Sequence, residues 1–564
     1  MLHLQADLTV NRLTQPGSYG ENDMSKLRST LFKNNRMLFA LVLFWVLTGN
    51  ILSVSFACVL QRIIDLVNQA GLNELISFLS IVAVLLLALF ITQCLINWFR
   101  NLFVYRAMRS FREEIFSRLS RNNITMFLGD STSRYISYLS NDASVVEEKY
   151  LLGLILLISS VLSMAGAISV MFWYNINLSL IVILLCLLPV IVTKIMIKKI
   201  SEFELESSDS NNKFIEILNN LLNGFSVIKS FQSESMALKL FDKQNEKMSR
   251  SHMVRKNKES LLASISNVLG TAIQISIFVI GGLFAIRNIL SVGTVLAYIN
   301  LSEYIISPLQ SIPGYIAGIK SSGALIDNIQ NQLSSYMETD GDLTIKELKS
   351  GIKIDNLSFS YENKVVLSDL SYNFKSGKAY AIIGDSGSGK STIMRLLLRG
   401  YTSYDGSIFY DDIDIKKATS ISLYNTVSYM QQSTFIFNAS ILDNITMFHD
   451  YPDAEVMEAV KKSGLKTLIE NKGLLYNCGE RGCNLSGGEQ QRISIARCLL
   501  KKSEVLLMDE ATSSLDITTA DDIADCIVRL DGVLKIFITH NTDRQFLEKF
   551  DQILVLHDGR LTAE

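Results

Sequence analysis

Six long apolar segments in the N-terminal half constrain this chain more than anything else in it. They run over residues 37–60, 75–98, 151–173, 178–197, 261–286 and 290–319. Each approaches or exceeds the roughly 20 residues a helix needs to cross the hydrocarbon layer of a membrane. In lipid the backbone must satisfy its own hydrogen bonds, so the segments are read as helices. Six crossings place both chain ends on one side. The last two segments carry more Ser, Asn, Gly and Gln than the first four, which keeps a buried-helix reading open for them.

Basic residues orient the spans. Arg106, Arg109, Arg112, Arg118 and Arg121 fall in the connection from Arg100 to Lys149, and Lys198, Lys199, Lys213, Lys229, Lys239 and Lys247 in the one from Lys194 to Lys258. The intervening turns, 174–177 and 287–291, hold no basic residue and one, respectively. Positive charge collects on the cytoplasmic side, so both long connections and both termini are expected there, in a plasma (inner) membrane. The connections are helical in pattern, which implies helices that extend past the bilayer. Residues 1–35 hold Asp7, Glu21 and Asp23 and no apolar core. They do not resemble a cleaved signal and read as a cytoplasmic lead-in, with a short surface helix near 24–34.

At 564 residues the chain is too long for one hydrophobic core. The expected division is a lead-in over 1–35, a six-span membrane domain over 36–325, a polar linker over 326–350 and a soluble α/β domain over 351–564. The net charge of −2 gives no sign of nucleic-acid binding, so no nucleic-acid partner is expected. Seven cysteines are scattered without a metal-ligand or disulfide pattern.

The C-terminal domain announces its chemistry. Gly384-Asp385-Ser386-Gly387-Ser388-Gly389-Lys390-Ser391 fits the phosphate-loop pattern, with an apolar strand before it and a helix starting at Ser391-Thr392 after it. Glycines let successive N–H groups curl toward phosphates, and the helix N-terminus adds its dipole. Lys390 reaches the terminal phosphates of a nucleotide, and Ser391 offers a hydroxyl to Mg²⁺. Downstream, the strand Val505-Leu-Leu-Met-Asp509-Glu510 ends in two carboxylates. Asp509 is suited to hold Mg²⁺, and Glu510 to polarise an attacking water.

Leu485-Ser486-Gly487-Gly488-Glu489-Gln490-Gln491-Arg492 resembles the signature sequence of ATP-binding-cassette (ABC) ATPases. The rest of the cassette follows in order. Tyr361 stands where the family stacks an aromatic on adenine. Gln432 resembles the glutamine that touches Mg²⁺, favoured over Gln431 by the Phe-Ile-Phe that follows. Ser514-Leu515-Asp516 resembles the D-loop, and His540 the histidine that contacts the γ-phosphate. Gly479-Glu480-Arg481-Gly482 resembles the segment with which exporters contact intracellular loops. Residues 138–142 and 222–231 resemble loops that carry coupling helices. Six spans followed by one cassette is the layout of an exporter half-transporter.

The resemblance implies an ATPase whose signature works in trans, so ATP lies between two cassettes and a second half-transporter is required. A homodimer is favoured, because Gln432, Glu510, His540 and the signature are all present; a heterodimer stays open. The implied cargo is amphipathic: a peptide, a drug-like compound or a lipid, moved out of the cytoplasm through a membrane-embedded pathway. Import of a siderophore on the same fold is the alternative, and a non-transport ABC ATPase a remote one. Few prolines, many Lys, Asn and Ile, and the half-transporter build suggest a bacterium. Within the spans Glu303 is the one acid well inside an apolar segment. Such a charge needs a cavity or a partner, and two readings stand: a contact for a cationic substrate group, or a residue near the cytoplasmic end or paired with a neighbouring helix.

Overall fold

The structure is a computed structural model that describes residues 27–69, 72–121, 132–335, 341–361, 364–432, 434–510 and 517–563. These fall into two compact units that divide between Leu333 and Ser334.

The first unit is helical. A short helix α1 (Leu27–Lys33) precedes the long helices α2 (Arg36–Gln69) and α3 (Leu72–Arg121). Two short helices, α4 (Thr132–Leu139) and α5 (Asn141–Val145), lead through a π-helical turn into α6 (Gly153–Tyr174). Then come α7 (Ile176–Asn223), the six-residue α8 (Phe225–Ser230), α9 (Glu234–Ile286) and α10 (Val292–Ser335). Four of the six apolar segments lie wholly within a long helix; the segment 151–173 begins in the π-helical turn, and the segment 290–319 begins two residues before α10. Among the described residues four helical stretches are long and apolar enough to cross a membrane: Arg36–Val67, Glu74–Ser120, Arg134–Tyr174 and Glu234–Ile286. Helix α7 shows a shorter apolar run, Ile176–Pro189. Helix α10 does not reach that standard, because Asn300, Glu303, Ser307 and Gln310 interrupt its apolar sequence.

Local chemistry sets the breaks. Asn175 is extended and its side chain accepts from the Leu178 N–H at 3.0 Å, which ends α6 and caps α7. A cluster of Val54, Ala167, Val182, Ile273, Ile277, Leu301 and Ile305 joins α2, α6, α7, α9 and α10. Tyr298 is fully buried there, its hydroxyl 2.7 Å from the Met171 carbonyl at the end of α6. Gly281 lets α9 and α10 approach closely: a methyl there would lie 2.8 Å from Val295 Cγ1. Helix α1 is held to α10 by Arg28, which donates to the Gly323 carbonyl at 2.8 Å and pairs with Asp327. Helix α8 buries no residue and leaves Phe225, Val227 and Phe231 exposed.

Helix α10 continues beyond residue 325, through the first part of the expected linker. Residues 341–350 belong to the second unit: the Leu343 N–H donates to the Lys417 carbonyl at 3.0 Å, and Ile345 and Leu348 join the core.

The second unit holds two sheets. Strands β1 (Gly351–Tyr361), β2 (Lys364–Lys375), β4 (Asp405–Tyr410) and β5 (Ile413–Asp414) form an antiparallel sheet in the order β2-β1-β4-β5. The larger sheet runs β10-β9-β3-β8-β7-β6, with β3 (Ala379–Ile383), β6 (Val427–Met430), β7 (Val505–Asp509), β8 (Leu534–Ile538), β9 (Gln552–His557) and β10 (Arg560–Ala563). Its inner strands pair in parallel and are buried on both faces, hence the unbroken apolar runs of β7 and of Ala379–Ile383. Ile382 lies opposite Ile538, and Ile538 opposite Asp509. The C-terminal ends of β3, β8 and β7 therefore form one edge, where open parallel sheets place their ligands.

Candidate nucleotide site

Three segments leave that edge side by side. After β3 comes the phosphate loop, closed by helix α11 (Lys390–Leu397). After β7 comes Glu510, and after β8 come Thr539 and His540. The loop needs glycine at Gly384, where φ is +151° and an added Cβ would lie 2.4 Å from the Leu556 carbonyl oxygen. It needs glycine again at Gly389, the N-cap of α11, with φ +103° and Val366 Cγ1 at 2.8 Å.

Together these segments bound a cavity of about 890 Å³. Its walls include Tyr361, Asp385, Ser386, Gly387, Ser388, Gly389, Lys390, Ser391, Thr392, Gln432, Glu510 and His540. Lys390 is nearly buried and its Nζ donates to the carbonyls of Gly384 and Asp385, both at 2.8 Å. Burial pulls its pKa down, while the charges of Glu510, Asp509 and Asp385 oppose the shift. Ser388 Oγ is buried without a hydrogen-bond partner among the described residues. A phosphate oxygen would satisfy it, so loop and triphosphate are chemically matched.

Asp509 is 3 % exposed. Its carboxylate accepts from Ser391 Oγ at 3.2 Å and from the Tyr429 hydroxyl at 3.4 Å. Burial raises its pKa, and the neighbouring Glu510 charge pushes the same way; the bonds from Ser391 and Tyr429 oppose. A carboxylate with a serine hydroxyl at 3.2 Å is an oxygen donor set of the kind a hard divalent cation takes, and Ser391, Asp509 and Gln432 would hold Mg²⁺ here.

Glu510 stands just outside the strand with φ +50°, unusual for a residue other than glycine. Its N–H donates to the Ile538 carbonyl at 3.1 Å. Its carboxylate accepts from Gln432 Nε2 at 2.7 Å and lies 2.9 Å from His540 Nε2. After the left-handed turn the Glu510 carboxylate stands between two other polar groups of the cavity, Gln432 and His540. Gln431 lines a different cavity, beside Phe435 and Arg497.

The sequence reading missed an aromatic-basic wall. Tyr401 meets Tyr361 edge-to-face, with ring centroids 5.5 Å apart and hydroxyls 3.3 Å apart. Arg395 hydrogen-bonds both tyrosines and keeps its charge the more firmly for it, against the effect of burial. Position 395 is one helical turn beyond Ser391, so helix periodicity could have found it.

The signature stands apart from this cavity. Ser486 caps the helix α12 (Gly487–Lys501): its side chain accepts from the Glu489 N–H at 3.3 Å, and Glu489 accepts from the Ser486 N–H at 2.7 Å. That box occupies the Ser486 groups and leaves the amides of Gly487 and Gly488 as first-turn donors. Ser486 and Gly487 are exposed, and neither they nor Gly488 lines the phosphate-loop cavity. Asp516, with Ser514 and Leu515, lies outside the described residues.

Comparison with known proteins agrees with both units. Residues 23–309 match the family model for the ABC transporter transmembrane region, and residues 367–513 match the ABC transporter model. The ABC transporter ATP-binding protein YwjA of Bacillus subtilis is 28 % identical over 551 residues, covering 94 % of each chain. The ATP-dependent lipid A-core flippase of Desulfotalea psychrophila is 26 % identical over 518 residues, covering 89 % of each. A solved structure of a bacterial Atm1-family ABC exporter with ATP bound superposes with a TM-score of 0.82 at 23 % identity, over 94 % of this chain and 95 % of that one.

Proposed function

The chain belongs to the ABC transporter family, as a half-transporter with a helical membrane domain and one ATP-binding cassette, and from that premise we propose an exporter that moves an amphipathic substrate out of the cytoplasm by alternating access. It is an integral membrane ATPase that works as a dimer. We place it in the inner membrane with both termini cytoplasmic, and assign it two identical copies per transporter. Helices α2 to α10 serve as the membrane domain, and residues 341–564, which include the last part of the expected linker, as the cassette.

One observation carries this reading. The phosphate loop, Asp509, Glu510 and His540 meet at one sheet edge, while the signature of the same cassette faces elsewhere. A second copy would supply the missing half. The Gly487 and Gly488 amides of one chain then donate to the γ-phosphate held by the other chain's Lys390. On ATP binding Lys390 turns from its own loop carbonyls to phosphate oxygens. Tyr361 stacks on the adenine ring, with Tyr401 and Arg395 behind it. Mg²⁺ held by Ser391, Asp509 and Gln432 would neutralise charge on the phosphates. Glu510 orients water in line with the γ-phosphate and takes its proton, and His540 donates to a γ-phosphate oxygen. Asp516 would contribute across the same seam. Two ATP molecules favour the closed pair of cassettes, and residues 138–142 and 222–231 pass closure to the spans; hydrolysis reopens it.

An amphipathic cargo is supported by the apolar spans with interspersed Gln93, Asn97, Asn267, Gln274, Asn300 and Gln310, and by the likeness to a lipid A-core flippase. The test is ATP-driven accumulation of labelled lipids, peptides and dyes in inside-out vesicles. Accumulation in wild type and none in Glu510→Gln supports export. Movement only in the opposite direction overturns it.

A further inference from the structure

Glu303 lies near the middle of its apolar segment, and Gln274 on α9 near the middle of its own. The two helices run antiparallel, with Gly281 against Val295 and Gly270 against Ile306. That register brings Gln274 Nε2 to 3.5 Å from a Glu303 carboxylate oxygen. The contact is at the outer limit of a hydrogen bond. An amide carries no charge to neutralise a carboxylate, and at that distance it leaves most of the carboxylate's acceptor sites open. No Lys, Arg or His occurs in residues 259–286 or 288–319, so neither helix supplies a counter-ion.

The surroundings are patterned. On α10, Asn300, Glu303 and Ser307 share one exposed face, while Leu301, Ser302, Ile305 and Ile306 are buried on the other. On α9, Asn267, Thr271 and Gln274 recur at helical spacing and Phe278 continues the row one turn on. Ile275 and Phe278 beside them are exposed and apolar. A polar seam thus runs along two otherwise apolar helices, with one acid at its midpoint and apolar surface at its flank. Such a charge in the hydrocarbon region requires a cavity or a charged partner.

We propose that Glu303 and Gln274 form the recognition point for a lipophilic organic cation, with the carboxylate binding the cationic group and Phe278 and Ile275 receiving its hydrocarbon body. Charge complementarity decides the class: one unneutralised carboxylate mid-span favours cations and rejects anions of the same shape. The aromatic face of Phe278 adds to the attraction. This inference rests on the export reading and names the substrate class for it.

The test uses the full-length dimer in nanodiscs, without nucleotide, with tetraphenylphosphonium and tetraphenylborate as probes of matched shape and opposite charge. Protein-free nanodiscs give the background. Wild type is expected to bind the cation saturably, Glu303→Gln at least ~10-fold more weakly, and Glu303→Asp in between; the anion gains nothing from Glu303. Equal cation affinity in wild type and Glu303→Gln overturns the proposal, as does no saturable cation binding in wild type, the result expected if a second copy covers this face. If Glu303→Gln fails to assemble, the cation–anion comparison on wild type decides alone. ATP-driven accumulation of a neutral lipid probe separates the two readings: accumulation with a failed cation test leaves export standing and removes only the cation site, whereas no ATP-driven movement of any probe removes export itself.

Discussion

The cassette and the membrane unit use polar residues in opposite ways. In the cassette they cluster at one sheet edge, each fixed by a strand end or a turn: Lys390 by the loop after β3, Asp509 by the last pair of β7, Glu510 by its left-handed backbone. In the membrane unit they are dispersed along the apolar helices, with stretches such as residues 81–91 holding none. A strand end presents a side chain in one direction, so cassette chemistry is tied to particular positions. A long apolar helix tolerates exchange of one lipid-facing residue for another, so position matters only where a polar group must be matched. The lesson is that substitution should be costly at the sheet edge and cheap along most of the spans.

Predictions that break or sharpen this contrast rank as follows. Glu510→Gln keeps the shape and removes the proposed base; steady-state ATP turnover should fall by roughly 10³-fold while nucleotide binding persists, as turnover and equilibrium binding assays on one preparation would show. Gly384→Ala forces a Cβ against the Leu556 carbonyl at positive φ; thermal unfolding should show the cassette destabilised by about 1–3 kcal/mol. Tyr361→Ala removes the proposed stacking surface and should raise KM for ATP about fivefold to tenfold with kcat nearly unchanged, the equivalent of about 1 kcal/mol. Burial raises the Asp509 pKa above that of an exposed aspartate, so protons would compete with Mg²⁺ held at that carboxylate. Apparent Mg²⁺ affinity should weaken as pH falls from neutrality, beginning above the ordinary aspartate value of about 3.9; Mg²⁺ titrations of ATPase activity at several pH values test the sign. Val268→Leu, on an exposed apolar part of α9, should change stability by less than about 0.5 kcal/mol, and a larger loss in a melt would break the contrast.

Legibility in the sequence followed the same divide. The loop from Gly384 to Ser391 is a contiguous pattern whose chemistry forces its geometry, so strand, turn and helix could be read together. Gln432 and Gln431 are adjacent in sequence yet line different cavities; the aromatic residues that follow favoured Gln432 as the glutamine for Mg²⁺, and its contact with Glu510 was not foreseen. Arg395 and Tyr401 were missed because their role arises only when α11 and the residues after it fold toward Tyr361. The apolar segments were legible from composition, since length and hydropathy suffice for a helix in lipid. The latch between Asp65 and the start of α10, where Ser291 Oγ donates at 3.0 Å and the Gly293 N–H at 3.3 Å, was not. It joins residues more than two hundred positions apart through backbone approach, which no local pattern records. The continuation of α10 to Ser335 was hidden by the polarity of its last turns, a polar face being as compatible with an exposed helix as with a linker.

Sharing of one ATP between two copies is the claim on which the rest depends, and mixed dimers test it. One chain carries Lys390→Ala and the other Ser486→Arg, each inactive as its own homodimer. Shared sites predict that the purified mixed dimer regains ATPase activity far above both parents, because one seam then combines an intact phosphate loop with an intact signature. A mixed dimer no more active than its parents would mean that each chain completes its own site, and would contradict the account.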